Sequence, residues 1–273
     1  LDVPTIQPEI YFTDTLELKR LYNPVKEPGK GTFKKMNVFI LILESFSKEY
    51  IGALNGKQKG YTPFLDSLIS ESLTFTNAYA NAKRSIEGIP AVIAGIPNWM
   101  NEPYITSMYG SNRINSLPNL LKKQGYYSAF FHGGANGTMG FDAFSSMAGY
   151  DAYFGRKEYG NDKAFDGNWG IWDEEFLQYA CSTMSDKQQP FFATFFTLSS
   201  HHPYSIPEKY TGKFKPGSLP IHISIRYADF ALQRFFESVK KTSWFKNTLF
   251  VLVSDHTSIS EDPFYANAVG NNA

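Results

Sequence analysis

Hydrophobic residues in this chain cluster in two ways. The first is an unbroken run, Asn37-Val-Phe-Ile-Leu-Ile-Leu43, which sets six consecutive apolar residues in front of Glu44 and Ser45. A strand with one wet face alternates apolar and polar side chains, so a continuous run predicts a strand covered on both faces. Pro190 to Leu198 and Leu249 to Ser254 repeat the pattern, and Tyr126 to Phe131 is a shorter version of it. Leu73-Thr-Phe-Thr-Asn-Ala-Tyr79 alternates instead and also reads as a strand.

The second pattern is helical. Thr62-Pro63 predicts an N-cap with proline at the first helical position, and Phe64, Leu65, Leu68 and Ile69 follow at helical spacing. Leu117-Pro118 opens a helix stopped by Gly125. Ile171 to Thr183 is helical, as is Ile221 to Lys241, where Ile225, Ala228, Leu232, Phe235, Phe236 and Val239 share one face. A polar, basic turn at Lys83-Arg84-Ser85 leads into a helical stretch of small residues that ends at Gly95. From Ala135 to Gly170 the Gly, Asp, Asn and aromatic content predicts loops and short turns over the sheet. Strands alternating with helices predict an α/β fold with a mainly parallel sheet sandwiched between helices. Residues 1–35 carry Pro4, Pro8, Pro24 and Pro28 and predict an arm or linker ahead of a domain spanning 36–273.

Composition narrows the function. Lysine plus arginine equals aspartate plus glutamate, 26 each, so there is no basic footprint for nucleic acid. The 24 Phe and 17 Tyr fill a core or line a carbohydrate- or lipid-facing cleft. The single cysteine, Cys181, cannot form an intrachain disulfide, says nothing of the compartment, and sits on an expected helix as a packed residue. No window approaches the roughly 18 apolar residues of a membrane span. Leu1-Asp-Val-Pro-Thr5 does not open a signal peptide, and a start without Met is expected of a piece of a longer protein.

Candidate chemistry lies where the strands end. In open α/β sheets ligands sit beyond the carboxyl ends of the strands. Four expected strands run into Glu44, His132, His201 and Asp255-His256. Carboxylates with imidazole suit Mn²⁺ or Zn²⁺, and Mg²⁺ less readily. Ser85, at an expected helix start, is either an N-cap or a hydroxyl placed among free N–H groups at the positive end of the helix dipole. With a cation to lower its pKa, Ser85 is a nucleophile. Glu44, Ser85, Asp255 and His256 thus make a minimal phosphoryl-transfer site, with His201 placed to hydrogen-bond a phosphate oxygen or protonate a leaving group. Arg84, His201, His202 and Asp142 are the expected substrate-binding residues.

With these residues in hand, the chain resembles the alkaline phosphatase/sulfatase superfamily, and within it the extracellular catalytic domain of lipoteichoic acid synthase-type proteins. The anchors are the strand ending in Glu44, the Lys-Arg-Ser85 turn, Leu-Ser-Ser-His201-His202-Pro-Tyr204, and Ser254-Asp255-His256 followed by Ser258-Ile-Ser-Glu261. The resemblance implies one divalent cation, usually manganese, held by Glu44, Ser85, Asp255 and His256, and a substrate-side role for His201. It implies a phospholipid or glycan phosphate-ester substrate and a catalytic domain outside the cytoplasm. It also implies a cell-membrane anchor in segments outside this chain and further sequence after Ala273.

Three departures from the family pattern bear on the substrate. Serine stands where the synthases usually have threonine. The Trp and Arg that grip their glycerophosphate headgroup fall near Met139 and Phe141 by spacing, which makes glycerophosphate transfer doubtful. The chain also ends soon after Asp255-His256. Two alternatives stand beside a phosphotransferase or phosphodiesterase: a sulfuric ester hydrolase, and a catalytically silent binding domain. Ser85-Ile-Glu-Gly-Ile89 lacks the proline and arginine of the formylglycine motif, which counts against the first.

Overall fold

The computed structural model describes residues 13–23, 31, 34–57, 59–258, 260 and 262–269. The chain divides into two units, Leu1–Lys35 and Met36–Ala273. In the first, Asp14 Oδ1 accepts the Leu16 N–H at 2.7 Å and caps a short helix, α1 (Thr15–Leu21). Pro4, Pro8, Pro24 and Pro28, on which the expected arm rests, lie outside the described residues, as do Ile259 and Glu261.

The second unit runs β1 (Asn37–Leu43), α2 (Pro63–Ser70), α3 (Ser85–Ala94), α4 (Leu117–Lys122), β2 (Tyr127–His132), α5 (Phe141–Met147), β3 (Ala152–Phe154), α6 (Arg156–Tyr159), α7 (Asp173–Ser185), β4 (Phe191–Phe196), α8 (Ile221–Val239), β5 (Thr248–Ser254) and α9 (Pro263–Val269). The strands form one sheet in the order β3-β2-β4-β1-β5, and each of the pairings is parallel. This is the α/β sandwich that the patterns predict.

The unbroken runs are explained by the two layers. On β1, Phe39, Leu41 and Leu43 join one core with α7 and α8, while Ile40 and Ile42 join the other with Ile89 and Ile93 of α3 and Phe144 of α5. On β4, Phe191 and Phe195 face the first core, and Phe192 and Phe196 the second. Most of the aromatic content is therefore core. Cys181 is packed in the first core, as expected.

Four expectations need correction. Leu73–Tyr79 is not a strand; Leu73 and Phe75 are 87% and 73% exposed, because alternation makes a segment fit for a sheet without giving it a partner. The fifth strand is β3, three residues inside the span expected to hold only loops and turns, which also contains α5 and α6. Finally, β5 shares the apolar run of β1 but lies at the end of the strand order, with Leu249 52% exposed. The helix expected from Ile171 starts at Asp173, since Ile171 is taken by a bridge to Phe165.

Candidate metal centre

Parallel strands in the order β2-β4-β1-β5 deliver their carboxyl ends to one rim. Glu44 follows β1, and Asp255 and His256 follow β5, whose last paired residues are Leu43 and Ser254. All three reach the same point: one donor atom from each lies within 4.8 Å of the others.

The backbone at Glu44 is fixed from β4. Its N–H donates to Thr197 Oγ1 at 2.8 Å, and its carbonyl accepts the Ser200 hydroxyl at 2.6 Å. Its side chain is buried, and Oε2 accepts the Ser85 hydroxyl at 2.9 Å. Ser85 is the first residue of α3, with Arg84 as its N-cap, so the serine is not the cap. Its oxygen also lies 3.3 Å from His256 Nε2. Gly88, one turn on, lets α3 come this close: a Cβ there would lie 2.8 Å from the Asp255 carbonyl oxygen.

His256 Nδ1 lies 2.8 Å from the Thr257 carbonyl, which can only accept. Nδ1 therefore carries a proton, and Nε2 faces Glu44 at 3.6 Å and Asp255 at 3.3 Å. Burial pushes the Glu44 carboxyl above its ordinary range. Burial and the neighbouring Glu44 push Asp255 up to about 8. Asp255 Oδ2 is buried with no hydrogen-bond partner. An orphaned carboxylate oxygen beside a second carboxylate and an imidazole nitrogen is costly unless a cation completes it. The donor set of oxygens and one nitrogen fits a divalent ion of the Mn²⁺ or Zn²⁺ kind.

A cavity opens from Glu44 and Ser85. His132, Thr138, Met139, Phe141, Trp169, Phe196, Leu198 and His201 complete its lining. The four strand ends thus converge as the sequence predicts. Met139 and Phe141, the positions where the resemblance expects a headgroup grip, are in the wall. His201 stands with its ring centroid 4.1 Å from that of Trp169. The turn before it is anchored by buried Asp173, which accepts the Leu198 and Ser199 N–H groups at 2.9 and 3.0 Å. His132 is buried between Phe196, stacked at 5.3 Å, and the edge of Phe141 at 5.2 Å. Burial pushes its pKa down to about 4, so it is neutral at pH 7.

Three expected substrate-binding residues do not line the cavity. Arg84 gives Nε and Nη2 to Glu87 Oε1 at 2.9 and 2.5 Å. Asp142 Oδ1 accepts the Ala143 N–H in the first turn of α5. His202 is exposed, and its carbonyl accepts Trp169 Nε1 at 2.6 Å. The sequence reading left His132 and Trp169 without a role; a histidine at a strand end was the one available signal.

Comparison with known proteins agrees with this fold. The sulfatase family pattern matches residues 36–272. A lipoteichoic acid synthase-like protein of Bacillus subtilis is 28% identical over 249 residues, covering 88% of this chain and 40% of its own length. Lipoteichoic acid synthase 1 of the same organism is 29% identical over 250 residues, 38% of its length. The chain therefore spans about 40% of these relatives. Among solved structures, a Vibrio parahaemolyticus protein of the alkaline phosphatase superfamily superposes with a TM-score of 0.76 at 32% identity, covering 86% of this chain and 57% of its own. Lipoteichoic acid synthase LtaP of Listeria monocytogenes does so with a TM-score of 0.74 at 24% identity, covering 85% and 59%. The rim that gathers Glu44, Ser85, Asp255 and His256 is built on a fold shared with these proteins, and the chain belongs to the sulfatase family within the alkaline phosphatase superfamily.

Proposed function

We propose that this domain is a metal-dependent phosphotransferase or phosphodiesterase with Ser85 as nucleophile. It acts outside the cytoplasm on a phospholipid headgroup or related phosphate ester. The observation that carries the reading is the Ser85 hydroxyl, held 2.9 Å from Glu44 Oε2 and 3.3 Å from His256 Nε2 at the mouth of a cavity. Glu44, Ser85, Asp255 and His256 would hold one divalent cation, with Mn²⁺ the best fit. When bound, it lowers the serine pKa and neutralises charge on the transferring phosphoryl group.

The chain's own groups supply the rest. Glu44 Oε2 already accepts the Ser85 hydrogen and is the first station for that proton. The serine oxygen bonds to phosphorus, and the ester P–O bond breaks. His201, on the cavity wall, gives a proton to the departing alkoxide. An acceptor hydroxyl or water then attacks phosphorus and gives its proton to His201, and Ser85 leaves as the hydroxyl, taking back the proton held by Glu44. The first-turn N–H groups of α3 and its dipole favour the anion at this place. Lipoteichoic acid synthases among the relatives support phosphoryl transfer. The cavity wall of Met139, Phe141, Phe196 and Leu198 carries no cation, which counts against a glycerophosphate grip like that of the synthases.

The test is release of p-nitrophenol from phosphodiester, phosphomonoester and sulfate esters with added Mn²⁺. Ser85→Ala is expected to abolish turnover of the phosphodiester and leave the fold intact, since the hydroxyl's hydrogen bond to Glu44 contributes only about 1–3 kcal/mol. Full activity in that variant refutes the serine nucleophile. No turnover by the wild-type protein on these esters or on labelled phospholipid favours the silent binding domain.

A further inference from the structure

We propose that Ser45 is a positioning residue that aligns the two carboxylates of the cation site. The inference rests on the reading of Glu44, Asp255 and His256 as ligands. Ser45 directly follows Glu44, is buried, and has φ 58°, in the left-handed region. A non-glycine residue there costs on the order of 1 kcal/mol and persists where the surroundings hold it.

What holds it is a pair of donors aimed at different strands. The Ser45 N–H donates to Asp255 Oδ1, beyond β5, at 3.0 Å. The Ser45 hydroxyl donates to Glu44 Oε1, beyond β1, at 2.6 Å. One residue thus ties both carboxylates, one through its backbone and the other through its side chain.

On Asp255 the bonds divide the oxygens in the way a one-oxygen ligand requires. Asp255 Oδ1 accepts from Ser45 and, at 2.8 Å, from the His256 N–H, while Oδ2 is left without a partner. Glu44 accepts Ser45 on Oε1 and Ser85 on Oε2, so hydroxyls on both oxygens fix the plane of the carboxylate. Partners of this kind orient a ligand before the ion arrives, and their removal typically weakens metal binding about 10- to 100-fold.

Two variants separate the hydroxyl from the backbone. Ser45→Gly keeps the N–H to Asp255 and carries no penalty at φ 58°, so it removes the hydroxyl alone. Ser45→Ala removes the hydroxyl and keeps the strain. Mn²⁺ affinity is read by isothermal titration calorimetry on the wild type and both variants, with thermal unfolding in EDTA alongside. Both variants are expected to bind Mn²⁺ about tenfold or more weakly. Ser45→Gly is expected to unfold in EDTA no earlier than the wild type, which a merely structural serine would not allow together with the affinity loss. If Ser45→Ala fails to fold, Ser45→Gly answers alone. Mn²⁺ affinity in Ser45→Gly within about threefold of the wild type overturns the proposal and leaves the cation reading standing. Wild-type protein that binds no Mn²⁺ overturns both.

Discussion

Asp255→Asn should make the metal-free protein more stable and the metal response vanish. Asp255 is buried beside Glu44, and its carboxyl is pushed from an ordinary 3.8 up to about 8. Because the folded value lies above the unfolded one, the wild type carries no cost below pH 3.8 and the whole cost above about pH 8. At pH 7 the gap of about 3 units corresponds to roughly 4 kcal/mol, at about 1.4 kcal/mol per unit. Glu44 shares the burden, so about 2–4 kcal/mol is the working figure. Asparagine keeps Oδ1 as acceptor for the Ser45 and His256 N–H groups and replaces the orphaned Oδ2 with an amide donor next to Glu44. In a domain of this size that relief should raise the unfolding midpoint in EDTA by roughly 5–10 °C at pH 7, and by little at pH 4. Titrating Mn²⁺ should then stabilise the wild type by mass action and leave the variant unmoved. The assay is thermal unfolding by intrinsic fluorescence across pH 4–8, with and without Mn²⁺. A variant that unfolds earlier than the wild type in EDTA at pH 7, or that gains as much from Mn²⁺, refutes the reasoning.

Two further outcomes are expected. Gly88→Ala brings a methyl group to 2.8 Å from the Asp255 carbonyl oxygen, so α3 or the β5 end must shift; a stability loss of about 1–3 kcal/mol with weaker Mn²⁺ binding should appear in denaturant titration and calorimetry. Asp229 of α8 accepts the Phe64 and Leu65 N–H groups at the start of α2, each at 2.9 Å, and burial pushes it up to about 6. Its contribution to stability is whole below about pH 3.8 and falls by about 3 kcal/mol or less as pH rises through 6, so Asp229→Asn should flatten that part of the urea-midpoint profile; an unchanged slope counts against it.

The fold was legible where burial on both faces leaves a continuous run, as in β1 and β4. It was illegible in β3, because three residues, Ala152–Phe154, are too few to show a period. Leu73–Tyr79 misled because alternation records fitness for a sheet and not the presence of a neighbour. The run before Ser254 looked like that of β1 because sequence does not give strand order. At the site, Glu44, Asp255 and His256 could be read from their residue types at strand ends. Arg84 was read from its charge alone; a glutamate three residues on, Glu87, was the signal that its guanidinium has a local partner. Asp173 gave no signal because its partners, Leu198 and Ser199, are 25 and 26 residues away and meet it only through the fold.

The pairing of β1 with β5 places Leu43 opposite Ser254, one step before Glu44 and Asp255. A slip of one residue would shift Asp255 by about 3.3 Å and turn the side chain to the opposite face. On the proposed reading of this rim, cation loading is a checksum on strand alignment. A chain that has collapsed with the wrong pairing keeps its helices and much of its oily interior, yet takes up no ion, so metal content measures the correctly assembled fraction of a preparation.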